Sequence, residues 1–303
     1  MNPGVFLKRA WSEERLGVVA FGIVVILAAL ALAAPLIAGS PTAIDSLHRL
    51  RPPSFSHPFG TDDFGRDVLS RTLYGGRVSL GLGLAVTAAC SVSGAALGLV
   101  SGYYPKVDGP LMRLMDGMMA FPPLVLAIAL VAALGAGLSS ELIALWTVFT
   151  PRVARVVRAS TIQLRSGEMV AASVASGSRT RTILLGHILP NATAPLMVQA
   201  SFVYAEAILA DAALSFLGLG VAPPTPTWGN MVAGARDYLP VAPWFAVFPG
   251  LAIVISVIAL NLAGDSLRAI LLPQAAGMAR PGRARRMIRP GAATAPATRQ
   301  PSQ

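Results

Sequence analysis

Long apolar runs alternate with short polar pieces along almost all of the 303-residue chain. A helix needs about 20 apolar residues to cross the hydrocarbon of a bilayer. The run LGVVAFGIVVILAALALAAPLIA, residues 16–38, carries no charge and predicts a first span. It is longer than a signal-peptide core, so the pattern predicts a retained anchor. Five further spans are predicted over 78–101, 111–138, 139–157, 192–219 and 244–264. The third holds Asp116 and the kinking pair Pro122-Pro123, and the fourth follows so closely that the two must form a hairpin. Asp116 stands three residues from Arg113, which suits a local ion pair on one helical face.

The polar pieces orient this pattern. With the N-terminus inside, the pieces 1–15, 102–113, 152–191 and the tail from 265 carry 18 of the 24 Lys and Arg. The positive-inside rule then predicts six spans with both termini in the cytoplasm. A core of spans occupies 78–272, preceded by an extracytoplasmic segment over 39–77 and interrupted by an extracytoplasmic loop at 220–243. The remaining tail, 273–303, is rich in Pro, Ala and Arg, and its composition predicts disorder near anionic headgroups.

Composition agrees with a polytopic membrane protein: 54% of residues are hydrophobic and 13% charged, against about 25% charged in soluble domains. The net charge of +10 is spread between apolar blocks and lacks interleaved aromatics, which argues against nucleic acid. The single cysteine excludes an intrachain disulfide. No G-x-x-x-x-G-K-[ST] loop, metalloprotease helix or G-x-S-x-G elbow occurs, and the three histidines are scattered. An intramembrane enzyme would need such a constellation within its spans. A carrier working alone would show an internal repeat, and none is visible, so the energy source is expected on another subunit.

Acids inside spans are costly and mark either a pathway or a pairing partner. Glu206 and Asp211 in the fifth span are therefore candidates for a translocation path or a subunit interface, with simple pairing as the alternative. Outside the spans, Thr61 can cap a helix whose first turn holds Asp62 and Asp63. Phe64, Val68, Leu69 and Leu73 then recur at helical spacing, predicting an amphipathic helix on the outer membrane surface. Trp228 and Trp244 suit the interfacial belt.

Between the fourth and fifth spans lies a polar segment, about 158–190, too long for a plain connector. It predicts one helix through about Ser176, a break at Gly177, and a second helix ending before Pro190. The run MVAASVASGS exposes small side chains that either enter a groove on a partner or fold against the chain's own helices.

Ala171, Ala172, Ser173, Ala175 and Gly177, followed by Ile188-Leu189-Pro190, resemble the EAA loop of bacterial ABC importer permeases. That family's pattern runs E-A-A, three residues, G, nine residues, I-x-L-P. Here Ala171 replaces its glutamate, Ser173 its second alanine, and I-L-P follows after ten residues. Glu168, one turn before Ala171, is a candidate substitute for the missing acid. The stretch HPFGTDDFGRDVLSRTLYGGRVSL (57–80) is similar to the segment before the second span of dipeptide, oligopeptide and nickel permeases. LSFLGLGVAPPTPTWGNMV (214–232), Pro249-Gly250 and NLAGDSLR (261–268) fit the same group. The chain thus resembles its C-type (DppC/OppC-like) permease subunits over nearly all residues before Pro273.

The resemblance implies an all-α, six-span type I importer permease fold (MetI-like) in the bacterial plasma membrane. It implies a homologous B-type permease partner and two ATP-binding subunits that carry ATP and Mg, with no cofactor on this chain. It also implies an extracytoplasmic binding protein, and as cargo di- or oligopeptides, with a nickel chelate or other small solute as the alternative. The ATPase-coupling loop would comprise Glu168, Ala171, Ala172, Ser173, Ala175, Gly177, Ser178 and Arg179. Docking of the binding protein would use Asp62, Asp63, Arg66, Asp67, Pro224 and Trp228; otherwise these segments form a rigid plug tying span ends together.

Overall fold

The computed structural model describes residues 15–272, all-helical apart from turns and one isolated bridge between Thr61 and Asp67. The expected N-terminal arm up to residue 14 and the tail from 273 lie outside the described residues. In chain order the helices are α1 (Arg15–Ile37), α2 (Val68–Tyr103), α3 (Pro105–Met119), α4 (Pro123–Leu134) and α5 (Leu138–Arg165). They continue with α6 (Glu168–Ala175), α7 (Thr180–Phe216), α8 (Trp228–Ala235) and α9 (Trp244–Leu271). Four of them, α1, α2, α7 and α9, are long and apolar enough to cross a membrane, and α3 with α4 would make a fifth as one bent span. Helix α5 has 28 residues, about 42 Å at 1.5 Å per residue, but it carries Glu141 and four arginines.

The centre is a contact between α2 and α5, into which α7 and α4 pack; α1, α8 and α9 complete the bundle. Its core joins Leu82 and Val86 of α2 with Ala127 and Val131 of α4, Leu145 and Phe149 of α5, and Val203 of α7. Close approach of α2 and α5 rests on Gly94, Gly98 and Gly102, spaced every four residues on one face. A methyl group on them would stand 2.7 Å from Val153 Cβ, 2.6 Å from the Ala154 carbonyl and 2.6 Å from Thr161 Cβ respectively. Hydroxyls inside the bundle are satisfied locally or across helices: Thr87 and Thr161 donate to carbonyls one turn back, and Trp146 donates its indole N–H to Ser93 at 2.9 Å. Large apolar side chains on α1, Phe21, Ile26, Leu32 and Leu36 among them, point outward.

Several expectations change. Thr61 does not start a helix. Gly60 and Gly65 take the left-handed backbone conformation, and residues 61–67 close a tight turn instead. The helix begins at Val68, capped by Asp67, whose Oδ2 accepts from the Ser70 N–H at 2.7 Å and its hydroxyl at 2.8 Å. The expected surface helix is thus the first two turns of α2, a single helix of 36 residues. The expected third span is bent by 91° between α3 and α4, where extended Pro122 stops one helix and Pro123 opens the next. Asp116 pairs with Arg155 of α5 at 2.5 Å and not with Arg113. Asp108 pairs with Arg158 in the same way, so α3 is bound to α5 by two ion pairs. The loop's first helix divides at Ser166-Gly167 into the end of α5 and the short α6. Pro190 ends nothing: α7 runs through it, and the wider π-turn of Ile183–Ile188 directly before it accommodates the missing donor.

Candidate functional site

Four groups of residues carry the candidate chemistry. The first is α6, at the end of the bundle where α5 and α7 meet. It stops in a Schellman motif: the Ser178 N–H reaches the Ser173 carbonyl and the Gly177 N–H the Val174 carbonyl, both at 3.0 Å. Gly177 supplies the positive φ of 75° that this closure needs. One residue anchors α6: Val170 is buried with Leu99 of α2, Val157 of α5, and Ile183 and Ile188 of α7. Ala171, Ala172, Ala175 and Gly177 are exposed, as are Glu168 and Arg179 at either end, while Ser173 and Ser178 are half-buried. Ala171 and Ala175 share a groove of about 520 Å³ with Tyr103 and Arg165, whose guanidinium lies 5.6 Å over the tyrosine ring. Glu168 is not among the residues lining this groove.

The second group lies midway along the bundle. Arg152 of α5 donates to both carboxylate oxygens of Glu206 of α7, at 2.5 and 2.6 Å. Both side chains stay partly open, 38% and 42% exposed. The pair borders a cavity of about 260 Å³ whose other walls are apolar, among them Leu124, Leu145, Phe149 and Ala213.

Asp211, five residues beyond Glu206, has a different setting. It is only 1% exposed and is enclosed by Ser79 of α2, Ser215 of α7 and Glu141 of α5. A side chain so enclosed lines no path and reaches no other subunit, so Asp211 belongs to this chain's own core. Glu141, also buried, faces it, and neither of its oxygens has a hydrogen bond of good geometry.

The fourth group caps the opposite end from α6. Asp62 is fully buried; its Oδ1 accepts from the Phe64 and Arg66 N–H groups at 2.8 and 2.9 Å, and its Oδ2 from Arg66 Nε at 2.6 Å. Arg71 lies 3.4 Å from the same carboxylate. Trp228 is likewise buried, donating its indole N–H to the Thr72 carbonyl at 2.8 Å and its backbone N–H to Ser79. The buried indole lies among core residues and is not open to an interface with lipid, and neither Asp62 nor Trp228 presents a surface to a partner. Trp244 also points inward and donates to the Thr61 carbonyl at 3.2 Å. Asp63, Arg66 and Asp67 are half-buried and Pro224 is exposed. Burial and the neighbouring Asp62 raise the Asp63 pKa above its ordinary 3.8.

Residues 94–277 match the family described as "Binding-protein-dependent transport system inner membrane component", a match of more than half the chain. This chain belongs to that family. A Brucella suis protein provisionally named a peptide transport system permease is 49% identical over 261 residues, covering 86% of this chain and 87% of the relative. The di/tripeptide transport system permease protein DppC of Pseudomonas aeruginosa is 48% identical over 216 residues, 71% of each chain. The dipeptide transport system permease protein DppC of Alkalihalophilus pseudofirmus is 42% identical over 264 residues, covering 86% and 87%.

The permease family is one of transport components and not of enzymes, which disposes of the intramembrane-enzyme alternative. The chain is an inner-membrane part of a binding-protein-dependent ABC transport system. Two residues of this permease escape sequence reading. Glu141 stands at the edge of an apolar run, where it passes for the first exposed residue of a helix, and Arg152 reads as one more positive-inside charge. Only the packing of α5 on α7 brings them to Asp211 and Glu206.

Proposed function

We propose that this chain is one of the two membrane-spanning subunits of an ATP-driven importer for di- and oligopeptides. The observation that carries the reading is its similarity, over most of both chains, to permeases named for peptide or dipeptide transport. In this reading both termini face the cytoplasm, a homologous permease supplies the other wall of the path, and two ATP-binding subunits hold ATP and Mg. A binding protein docks at the capped end, over Asp63, Pro224 and the exposed Phe64.

The coupling step follows from how α6 is built. Its exposed alanines offer little bulk and almost no side-chain entropy, so it fits a cleft on an ATP-binding subunit. Val170 ties it to α2, α5 and α7 at once, so a displacement of α6 is passed to three long helices through packed side chains. Rocking of those helices then opens the path alternately to either side.

The test is ATP-dependent uptake by the assembled transporter carrying Ala172→Trp. Ala172 is exposed and absent from the core, so the variant is expected to assemble with ATPase activity retained but uptake per ATP lowered at least tenfold. Glu168→Lys, which reverses the acid at the start of α6, is expected to weaken coupling in the same direction. Unchanged uptake per ATP in both variants would remove α6 from the coupling path.

A further inference from the structure

We propose that Arg152 and Glu206 form an exchange site for the two charged ends of a short zwitterionic peptide; the proposal rests on the peptide-import reading above. Arg152 lies midway along α5 and Glu206 in the second half of α7, within its apolar part, and both stay open to the surroundings of this chain. A half-open ion pair at that depth is disfavoured against lipid, so this face meets water or protein. The adjoining cavity, about 260 Å³, is walled by Leu124, Leu145, Phe149 and Leu209. That volume is near the lower end of ligand pockets, about 300–1,000 Å³, and it is apolar with a few convergent polar groups, as such pockets are.

The charges select the ligand class. Arg152 and Glu206 sum to zero, so a cationic ligand gains the glutamate and meets the guanidinium, and an anionic one meets the reverse. A zwitterion satisfies both. Its carboxylate takes the guanidinium, its ammonium takes the Glu206 carboxylate, and the apolar wall receives a small side chain. The internal ion pair opens as two external pairs form, so no bare charge is left in the bundle at any stage. When the ligand leaves, the two side chains close on each other again. Such a site holds any small side chain, because recognition is confined to backbone charges.

The test uses the complete transporter in lipid nanodiscs without its binding protein, with labelled dialanine as the probe. Three analogues, N-acetylated, C-amidated and doubly blocked, separate the two ends. Wild type is expected to bind dialanine about tenfold tighter than either singly blocked form, in keeping with the strength of charge-assisted hydrogen bonds. Arg152→Gln is expected to lose discrimination against the C-amide while keeping that against the N-acetyl form, and Glu206→Gln the reverse. The double variant, which leaves no bare charge in the bundle, is expected to bind all four probes alike, whereas Arg152→Lys with Glu206→Asp keeps the preference for dialanine. A wild type without preference, or a double variant that keeps it, overturns the proposal. So does a pair of single variants that weaken all probes equally, which marks a purely structural contact or one with the second permease. Absent ATP-dependent dialanine uptake by the wild-type transporter in liposomes with its binding protein would instead count against peptide import itself.

Discussion

Asp62 and Asp63 are adjacent in the chain, yet one carboxylate is fully enclosed by donors and the other is half-buried beside it. Asp62→Ala leaves Arg66 and Arg71 facing an empty site, and breaking a buried pair in this way costs about 3–5 kcal/mol. Thermal unfolding in detergent is expected to show a large fall in midpoint, and an unchanged midpoint would contradict the keystone role. Asp63→Asn should act oppositely. Its carboxyl is raised in the folded protein, so ionisation is penalised there and wild-type stability falls as pH rises through the raised value. The variant lacks that penalty. It is expected to melt above wild type at neutral pH and level with it below the ordinary value of 3.8, where both states are protonated. The sequence shows two acids after a threonine, a good helix start by every local rule; the glycines on either side turn the chain first.

Among elements, the pair α2 and α5 decides the architecture, and its basis is legible in sequence as small residues four apart. Gly98 shows how tight the contact is: an added methyl would stand 2.6 Å from the Ala154 carbonyl and 2.7 Å from Val157 Cβ. Gly98→Ala is expected to lower stability by about 1–3 kcal/mol, as overpacking does. Gly81→Ala on the same helix meets nothing within 4 Å and should be neutral or slightly stabilising. Equal midpoints for the two variants would refute the packing argument. Boundaries were harder to read than spans. Pro190 has the look of a stop, but a π-turn ahead of it lets α7 continue, and such a turn leaves no signature in residue type. The bend between α3 and α4 is written plainly in Pro122-Pro123; its angle is not, because the two Asp–Arg pairs that hold α3 against α5 are long-range.

In the whole molecule the candidate sites lie at three depths: the Asp62 turn at one end, the Arg152–Glu206 pair midway, and α6 at the other end. Motif spacing located the two ends, since each is a continuous stretch of chain. The middle site is discontinuous, and only packing brings position 152 to position 206. One departure from the family pattern also gains a physical setting. Ala171 lines the same groove as Arg165, so a glutamate at 171 would stand in a groove that already holds a cation. Glu168 lies outside that groove, exposed at the start of α6.

The central claim is ATP-driven import of short peptides through a path that this chain helps to form. It is tested most directly by purifying the chain with its co-purifying subunits, reconstituting them in liposomes with the cognate binding protein, and measuring uptake of labelled dialanine. The account predicts accumulation that requires both ATP and the binding protein. Uptake that proceeds without ATP, or a complete complex that hydrolyses ATP and accumulates no peptide, would contradict it.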